Sequence, residues 1–245
     1  MPRVKPTLDG FNLESALTGQ VVDRLRPIAP QVYALLREAI IDSRLPPGAP
    51  IHEPDLARAL SVSRTPLRSA LQQLASEGLV ETRPQVGSIV APLNVAEVIE
   101  AVFCRSALEC EVVRRLSQMS VPQERFRRVM RDQYETALRD DYLAFYRVDE
   151  EFHGLLAEMA GVPSAWRLVQ SVKPHVDRAR LDLMGSIAGR SLAAYNEHVA
   201  ILGAIMAGDG DLAAHRMHDH VMTVFDALEG AGTVRREANG VMFPA

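Results

Sequence analysis

Lysine, cysteine and aromatic residues are all scarce in this 245-residue chain. Lysine occurs only as Lys5 and Lys173 in an arginine-rich sequence, a bias typical of a GC-rich genome and not of a particular mechanism. The two cysteines, Cys104 and Cys110, lie six residues apart on a predicted helix and point to different faces, so we expect no disulfide framework. Both are expected to be small buried side chains.

Two further absences concern membranes and secretion. The chain contains no run of about 18 apolar residues, which argues against a transmembrane helix. Its first residues lack the charged-then-apolar pattern of a secretory signal. We therefore expect a cytoplasmic protein with no membrane partner, and one long enough for two domains with cores of their own.

The segment 54–78 carries the most informative pattern of the chain. Residues 54–60 predict a short helix, which a tight polar turn joins to a second helix. This arrangement is typical of a helix-turn-helix, whose second helix enters the DNA major groove by its N-terminal end. Thr65 followed by Pro66 suits an N-cap with proline at the first helical position, and Ser63 is an equally good cap.

The second helix opens with residues suited to contacting DNA. Arg64 and Arg68 are four apart and share one helix face, from which their guanidinium groups can reach guanine or phosphate. Ser63 and Thr65 add hydroxyl groups to the same end. Although the net charge of the chain is −4, residues 58–76 contain three arginines and no acidic residue. The local charge therefore favours DNA binding at this helix.

A wing is predicted after the second helix. Two short strand-like runs, 79–82 and 88–91, flank a turn-forming segment. Gly87 at the tip of this hairpin would allow close approach to the DNA backbone or minor groove. Gly78 suits a left-handed position at the end of the second helix. An apolar stripe that starts after Gln31 predicts the first helix of the same domain.

The rest of the chain predicts helices, including one helical run over 164–184. We predict a mainly α protein: an N-terminal winged helix-turn-helix of three helices and a small β-hairpin, then a C-terminal antiparallel bundle of six or seven helices. The predicted parts are an arm (1–29), a DNA-binding domain (30–92), a helical domain (95–230) and a C-terminal tail (231–245). The arm is expected to be mobile, with one short helix.

Four polar residues of the predicted bundle are candidate metal ligands. Asp149 and His153 are four apart and lie on one helix face, whereas His198 and His220 belong to two later helices. Three imidazoles and one carboxylate that converge in a bundle suit Zn2+ or Ni2+, with Mn2+ as an alternative. From spacing alone, separate surface or core histidines are the more frequent outcome.

Residues 31–92 resemble the winged helix-turn-helix of the GntR-type bacterial transcription regulators. The resemblance rests on the segments 45–48 (LPPG), 55–57 (DLA), 62–68 (VSRTPLR) and 77–80 (EGLV), and on Leu74 and Gly87. It implies that Arg64, Thr65 and Arg68 touch DNA and that Gly87 lies by the minor groove. Some members use a basic residue near the start of the helix before the turn, where this chain has Glu53-Pro54-Asp55. Arg58 is our candidate for a replacement phosphate contact.

Residues 95–229 are similar to the all-helical effector domain of the FadR-type branch of that family. The matching segments are 105–109 (RSALE), 149–153 (DEEFH), 197–201 (EHVAI), 204–205 (AI) and 208–209 (GD), together with Ala213, Met217 and His220. In the metal-binding members, the aspartate and three histidines of this pattern are ligands. The resemblance therefore implies that Asp149, His153, His198 and His220 hold a divalent ion, and that His215 and His218 do not.

The resemblance also implies an effector. Small carboxylic acids and sugar acids are common effectors in the family, and a metal with an open position would attract a carboxylate. Arg105 is the predicted clamp for that group, and Asn196 is a second candidate pocket residue. Arg178, Arg180 and Arg190 are further candidates, although a solvated surface is the more frequent environment of helical arginines.

The expected function is a ligand-responsive transcriptional regulator and not an enzyme. A homodimer would present two winged helices to a pseudo-palindromic DNA operator, and the effector would release this repressor by changing how the two heads are placed. Two alternatives stay open. The metal could be structural or could itself be the signal, or a metal-dependent hydrolase could use Glu150 or Glu151 to activate water.

Overall fold

The computed structural model describes residues 12–17, 19–83, 87–237 and 242–244. The chain divides into two compact units between Asn94 and Val95. Among the described residues, no helix is both long and apolar enough to cross a membrane. Parts of the predicted arm (1–11 and 18), the tip of the predicted wing (84–86) and parts of the predicted tail (238–241 and 245) lie outside the described residues.

The first unit combines helices with a small antiparallel sheet. Its described elements are α1 (Leu13–Ala16), α2 (Ile28–Ile41), β1 (Pro50–Ile51), α3 (Glu53–Ala59), α4 (Arg64–Ser76), β2 (Val80–Arg83) and β3 (Gly87–Val90). The strand order is β1-β3-β2, and Ser88 of β3 lies opposite Ile51 of β1 and Thr82 of β2. The predicted hairpin is present, and β1, which the sequence did not predict, adds a third strand to it.

The core of the first unit is formed by one apolar stripe from each long helix. Leu36 and Ile40 of α2 pack in one cluster with Leu67 and Leu74 of α4, and none of them is more than 1% exposed. Leu17, within the predicted arm, is 3% exposed and belongs to the same cluster. Burial of apolar surface therefore packs this part of the arm against the domain, and α1 (Leu13–Ala16) is a short helix within the predicted arm.

The start of α4 decides between the two predicted caps. Ser63 is the N-cap, with an extended backbone (φ −77°, ψ 164°), and Arg64 is the first helical residue. Thr65 is therefore inside the helix, and its prediction as a cap is wrong. Pro66 is the third helical residue, where its missing N–H still removes no hydrogen bond within the helix.

The end of α4 has the left-handed residue that the sequence predicted. Gly78 has a φ of 68°, a conformation that residues with a side chain rarely adopt. The amides of Gly78 and Leu79 donate to the carbonyls of Ala75 and Leu74 at 3.1 and 3.0 Å. This hydrogen-bond pattern satisfies the last carbonyls of α4 and turns the chain into β2.

The second unit is a bundle of helices followed by a short hairpin. Its described elements are α5 (Val95–Ser117), α6 (Glu124–Leu138), α7 (Tyr142–Met159), α8 (Pro163–Val172), α9 (Pro174–Leu183), a 3-10 turn (Met184–Ser186), α10 (Arg190–Met206), α11 (Gly210–Gly230), β4 (Val234–Arg236) and β5 (Met242–Pro244). The helical run predicted over 164–184 is interrupted because Pro174 has no N–H to donate and disfavours a helical Lys173. In the predicted tail, Val234 and Met242 are buried, which the sequence did not indicate.

The interior of the bundle is unusually rich in charged and polar side chains. Residues from α5, α7, α9, α10 and α11 contribute, namely Arg105, Glu109, Asp149, His153, Asp177, Arg178, Arg180, His198 and His220. Burying charge is strongly unfavourable unless the group is paired or binds a ligand. This interior is therefore a candidate functional site of the second unit, separate from the candidate site at the exposed end of α4 in the first.

Candidate DNA interface and candidate metal centre

The predicted DNA-contacting residues lie together at the N-terminal end of α4. Ser63, Arg64, Thr65 and Arg68 are all exposed, whereas Leu67 on the opposite side of the helix is buried. Helix α4 therefore presents a polar face that a DNA groove can accept, while its apolar face anchors it to the domain.

Two of the predicted DNA-contacting arginines are paired with the acidic start of α3. The Nε of Arg68 donates to Oε2 of Glu53 at 2.8 Å. The NH1 of Arg58, which is exposed on α3, lies 3.2 Å from Oδ1 of Asp55. Exposed ion pairs contribute only about 0–1 kcal/mol, so neither pair prevents these arginines from contacting DNA.

Gly87 lies where the wing returns to the sheet, opposite Arg83 of β2. Its φ is 93°, and a Cβ built on it would meet no atom of the described residues within 4 Å. The backbone conformation, and not crowding within the domain, therefore requires glycine at this position.

Asp149, His153, His198 and His220 come together inside the bundle. One potential ligand atom from each residue lies within 4.8 Å of the other three, and none of the four residues is more than 4% exposed. The Nε2 of His198 lies 3.3 Å from Nε2 of His220 and 3.5 Å from Oδ1 of Asp149. The Nε2 of His153 lies 3.9 Å from the same oxygen. Helices α7, α10 and α11 thus bring together the four residues that the resemblance implied.

The outward-facing nitrogen of each imidazole has a polar neighbour. The three contacts join ring Nδ1 atoms to side-chain oxygens: His198 to Gln133 at 2.9 Å, His220 to Glu197 at 2.7 Å and His153 to Glu109 at 2.5 Å. Nδ1 of His153 lies close to Glu109 without hydrogen-bond geometry. For His198 and His220, an acceptor hydrogen-bonded at Nδ1 keeps the proton there and leaves the Nε2 lone pair facing the cluster. Metal-binding histidines are commonly oriented in this way.

The inward-facing atoms of the cluster show that these residues fit a divalent ion. Oδ1 of Asp149 and Nε2 of His153 are buried and make no hydrogen bond to the described residues. Buried polar atoms without a hydrogen bond are rare and need an explanation. Three imidazole nitrogens and one carboxylate oxygen form a donor set that zinc and nickel accept readily.

The charges around the cluster favour the metal-binding protonation states. Burial raises the pKa of Asp149, but Arg180 and the neighbouring histidines outweigh it and hold that pKa well below its usual range. Burial lowers the pKa of both His198 and His220, and the neighbouring imidazoles lower it further. At neutral pH the carboxylate is therefore ionised and these imidazoles are neutral, as metal coordination requires.

Of the two predicted effector-binding residues, only Arg105 lies near the cluster. It is 2% exposed, its Nε donates to Oε1 of Glu109 at 2.7 Å, and its buried NH2 makes no hydrogen bond to the described residues. Asn196 is exposed, because it precedes His198 by two residues on α10 and so lies about 200° around the helix from it. The structure thus corrects the expectation that Asn196 lines the pocket.

The three helical arginines are not solvated, contrary to the environment expected for them. Arg178 is fully buried, and the NH1 of Arg180 donates to Oδ2 of Asp149 at 2.8 Å. Arg190 donates two hydrogen bonds to Glu197, at 2.6 and 2.9 Å. Arg180 therefore contacts the cluster directly, through Asp149, whereas Arg190 contacts it indirectly, through Glu197, the partner of His220. The sequence did not predict either contact.

A small open cleft adjoins the cluster, and its internal volume of about 10 Å³ holds little more than one water molecule. Glu109 and His153 are its polar lining residues, and the rest of the lining is apolar and includes Leu108, Leu156 and Met217. A ligand near the cluster would therefore meet charged groups on one side and apolar surface on the other.

The fold defines a class: a winged-helix DNA-binding protein with a second, helical unit whose interior contains a cluster of buried charged and polar side chains. The chain belongs to the gntR family of bacterial regulatory proteins, whose model matches residues 28–90, and the model of the FCD domain matches residues 99–223. This family consists of DNA-binding regulators, so the protein is a transcriptional regulator and not an enzyme.

Two relatives and one solved structure illustrate the similarity. The HTH-type transcriptional repressor RspR of Escherichia coli is 30% identical over 83% of this chain and 90% of its own. A protein of Paenarthrobacter nicotinovorans, named "Probable D-xylose utilization operon transcriptional repressor", is 33% identical over 82% of this chain and 88% of its own. A GntR regulator from Rhodococcus sp. RHA1 is 25% identical with a TM-score of 0.68, over 81% of this chain and 98% of that structure.

Proposed function

We propose that the protein is a transcriptional repressor that a small carboxylate releases from its operator, and that a divalent ion in the helical unit anchors this effector. The observation that carries the proposal is the set of buried, inward-facing ligand atoms on Asp149, His153, His198 and His220. The names of the relatives, which include repressors, support the direction of the response.

The residues around the cluster have separate roles in this proposal. A bound Zn2+ or Ni2+ ion, with Mn2+ as an alternative, would offer a coordination position to a carboxylate. Arg180 holds Oδ2 of Asp149, which leaves Oδ1 for the ligand set. Arg105 is fixed through its Nε by Glu109, and its NH2 remains as a buried donor for the effector carboxylate.

The DNA-binding half of the proposal uses the exposed end of α4 and the wing. Arg64 and Arg68 contact base edges or phosphates, Ser63 and Thr65 contact the backbone, and Gly87 lies at the minor groove. Arg58 adds a phosphate contact. A homodimer places two such units on a pseudo-palindromic operator in the bacterial cytoplasm, where its DNA lies.

A second candidate role for the ion follows from the burial of the cluster. None of the four ligand residues is more than 4% exposed, which also suits an ion that only stabilises the bundle or that is itself the signal. In that case operator binding would respond to metal alone, and no organic acid would be needed. The two roles therefore differ in a measurable way.

A thermal-shift screen separates these roles. Full-length protein, either metal-loaded or stripped with a chelator, is melted in the presence of a panel of hydroxy acids, dicarboxylic acids and sugar acids. The effector proposal requires that one acid raises the melting temperature of the metal-loaded protein only. The same acid should then weaken binding to DNA selected from a random pool by roughly 5- to 150-fold, the usual range of allosteric coupling.

Matched variants make the screen specific. Arg105→Lys keeps the charge but loses the planar fork, so it should abolish the response to the acid. Arg127→Lys makes the same change at an exposed arginine and should keep the response. If metal alone shifts the melting temperature and DNA affinity, the structural or metal-sensing role replaces the effector role. If no divalent ion binds, the whole proposal for the helical unit is wrong.

A further inference from the structure

The ion pair between Glu53 and Arg68 joins the two helices of the DNA-binding motif on their DNA-facing side. Arg68 lies on the exposed face of α4 that also carries Arg64, and its side chain is 63% exposed. Glu53 is the first residue of α3, and its side chain is 31% exposed. Its Oε2 accepts from Nε of Arg68 at 2.8 Å. An acidic group therefore contacts an arginine on the exposed face of α4 that carries the predicted DNA-contacting residues.

A carboxylate at this place is unfavourable for DNA affinity. DNA binding is driven largely by neutralising phosphates, and a nearby negative charge opposes it. The positive N-terminal end of α3 favours a carboxylate at Glu53 within the protein, but it does not remove the repulsion between that carboxylate and DNA phosphates. The carboxylate is therefore better explained by what it does to Arg68 than by a contribution to affinity.

The contact leaves a defined part of the guanidinium group for DNA. An arginine can present either its Nε edge or its two terminal nitrogens to a pair of acceptors. With Nε engaged by Glu53, the terminal NH1 and NH2 groups remain, and they form a fork that matches O6 and N7 of guanine. Holding one edge also restricts a long side chain that otherwise samples many rotamers.

We propose that Glu53 is a positioning residue that aims the terminal nitrogens of Arg68 at the guanine of one G·C base pair in each operator half-site. Glu53 thus exchanges affinity for selectivity: it lowers binding to DNA in general and sharpens the preference for guanine at one position. The proposal rests on the proposed role of Arg68 in contacting base edges.

Selection from a pool of random DNA duplexes tests this pairing with the full-length protein. The enriched sequences are compared for the wild type, Arg68→Ala, Glu53→Gln, the double variant and Asp55→Asn. Asp55→Asn is the matched control, because it removes the same charge from the same turn of α3 but leaves the partner of Arg68 intact. Binding of each variant to non-specific DNA is measured in parallel.

We expect Arg68→Ala and Glu53→Gln to lose selectivity at the same base pair, with a roughly tenfold weaker preference for guanine after Glu53→Gln. The double variant should resemble Arg68→Ala at that position. Glu53→Gln should bind non-specific DNA more tightly than the wild type, because a negative charge near the phosphates is removed. Asp55→Asn should keep the preference.

Each contrary outcome has a distinct meaning. The positioning role is overturned if Glu53→Gln selects the same DNA sequences as the wild type, or if its base preferences weaken equally at all positions. In that case Arg68 still keeps its base-contacting role. A similar loss in Asp55→Asn also overturns it, because charge alone would then be the cause. An unchanged motif for Arg68→Ala removes the base-contacting role of Arg68 and, with it, this inference.

Discussion

The indole ring of Trp166 stacks on the imidazole ring of His153, with ring centroids 5.5 Å apart and planes inclined by 13°. Trp166 is the sole tryptophan of the chain, so its fluorescence reports on one place, the candidate metal centre. We predict that Zn2+ changes the emission of the chelated protein and saturates at one ion per chain, because coordination of His153 alters the charge beside the indole.

A fluorescence titration with Zn2+ measures this response, with His215→Ala as the control. His215 is an exposed histidine on α11, so its removal should leave both the amplitude and the midpoint unchanged. His153→Ala should abolish the change in emission. Emission that stays constant while one Zn2+ is bound per chain would contradict the assignment of His153 as a ligand.

The outer partners of the histidines provide a second prediction. Glu197 accepts from Nδ1 of His220, and its pKa is lowered to about 2, because the histidine and Arg190 outweigh the effect of burial. Glu197→Gln should weaken Zn2+ binding by about 10–100-fold, the usual effect of removing such a partner. Competition with a coloured chelator gives the affinity.

Glu158→Gln is the matched control for this variant. Glu158 also accepts a hydrogen bond from an arginine, Arg125, at 2.9 Å, but its side chain is 61% exposed and it is not a partner of the histidines. Its replacement should leave the Zn2+ affinity unchanged. Equal affinities for the two variants would mean that Glu197 does not orient His220 for metal.

Local sequence patterns predicted those features that depend on residues close along the chain. Leu67, Leu71 and Leu74 recur at helical spacing in the sequence, a pattern that indicates one apolar face, and all three are buried in α4. Gly78 predicted the end of that helix, because only a left-handed residue fits there. The i,i+4 spacing of Asp149 and His153 placed both on one face of α7, but the convergence of His198 and His220 with them was implied by the resemblance.

The features that the sequence did not predict depend on contacts between distant residues. Gln133 lies opposite His198, 65 positions away, and no motif marks it. Arg180 donates to Asp149, 31 positions away, and no spacing in the sequence indicates that contact. Lys173 gave no signal in the sequence, yet it is buried and lies 2.7 Å from Glu150. Tertiary packing, and not local propensity, decides each of these cases.

The lowered pKa values of His198 and His220 predict how the stability of the metal-free protein depends on pH. Each ring takes up its proton at a lower pH in the folded protein than in the unfolded chain, so the unfolded chain binds more protons as the pH falls below 6.5. The free energy of unfolding should therefore be highest above pH 6.5 and fall as the pH is lowered towards 5.5, by at most about 1.4 kcal/mol per pH unit for each histidine.

Urea unfolding of the chelated protein between pH 7.5 and 5.5 measures this dependence, with buffers on the order of half a pH unit apart. Burial raises the pKa of Glu150, which acts in the opposite direction, so the difference between wild type and His220→Gln isolates the histidine. His220→Gln should reduce the dependence of the free energy of unfolding on pH, whereas His215→Gln should leave that dependence unchanged. Equal slopes for all three proteins would contradict the lowered pKa of His220.

Arg64 provides a test of the DNA-binding face that does not involve Glu53. Arg64→Ala should weaken operator binding by about 1–3 kcal/mol if the side chain contacts a base edge. A phosphate contact would instead weaken binding to all sequences and reduce the slope of the logarithm of affinity against the logarithm of salt concentration by about one. Fluorescence anisotropy at several salt concentrations separates the two cases. Arg127→Ala, on the exposed surface of α6, is the control, and equal affinities for both variants would exclude Arg64 from the interface.

Two glycines of the helical unit isolate the effect of backbone conformation on stability. Gly161 follows α7 with a φ of 73°, whereas Gly203 lies inside α10. In the part of the chain that the structure describes, a Cβ at either position would meet no atom within 4 Å. Gly161→Ala should lower the free energy of unfolding by about 1–2 kcal/mol, because alanine is strained in the left-handed region. Gly203→Ala should raise it by about 0.5–1 kcal/mol, because alanine loses less entropy in a helix. Urea unfolding measures both, and changes of the same sign would contradict the left-handed end of α7.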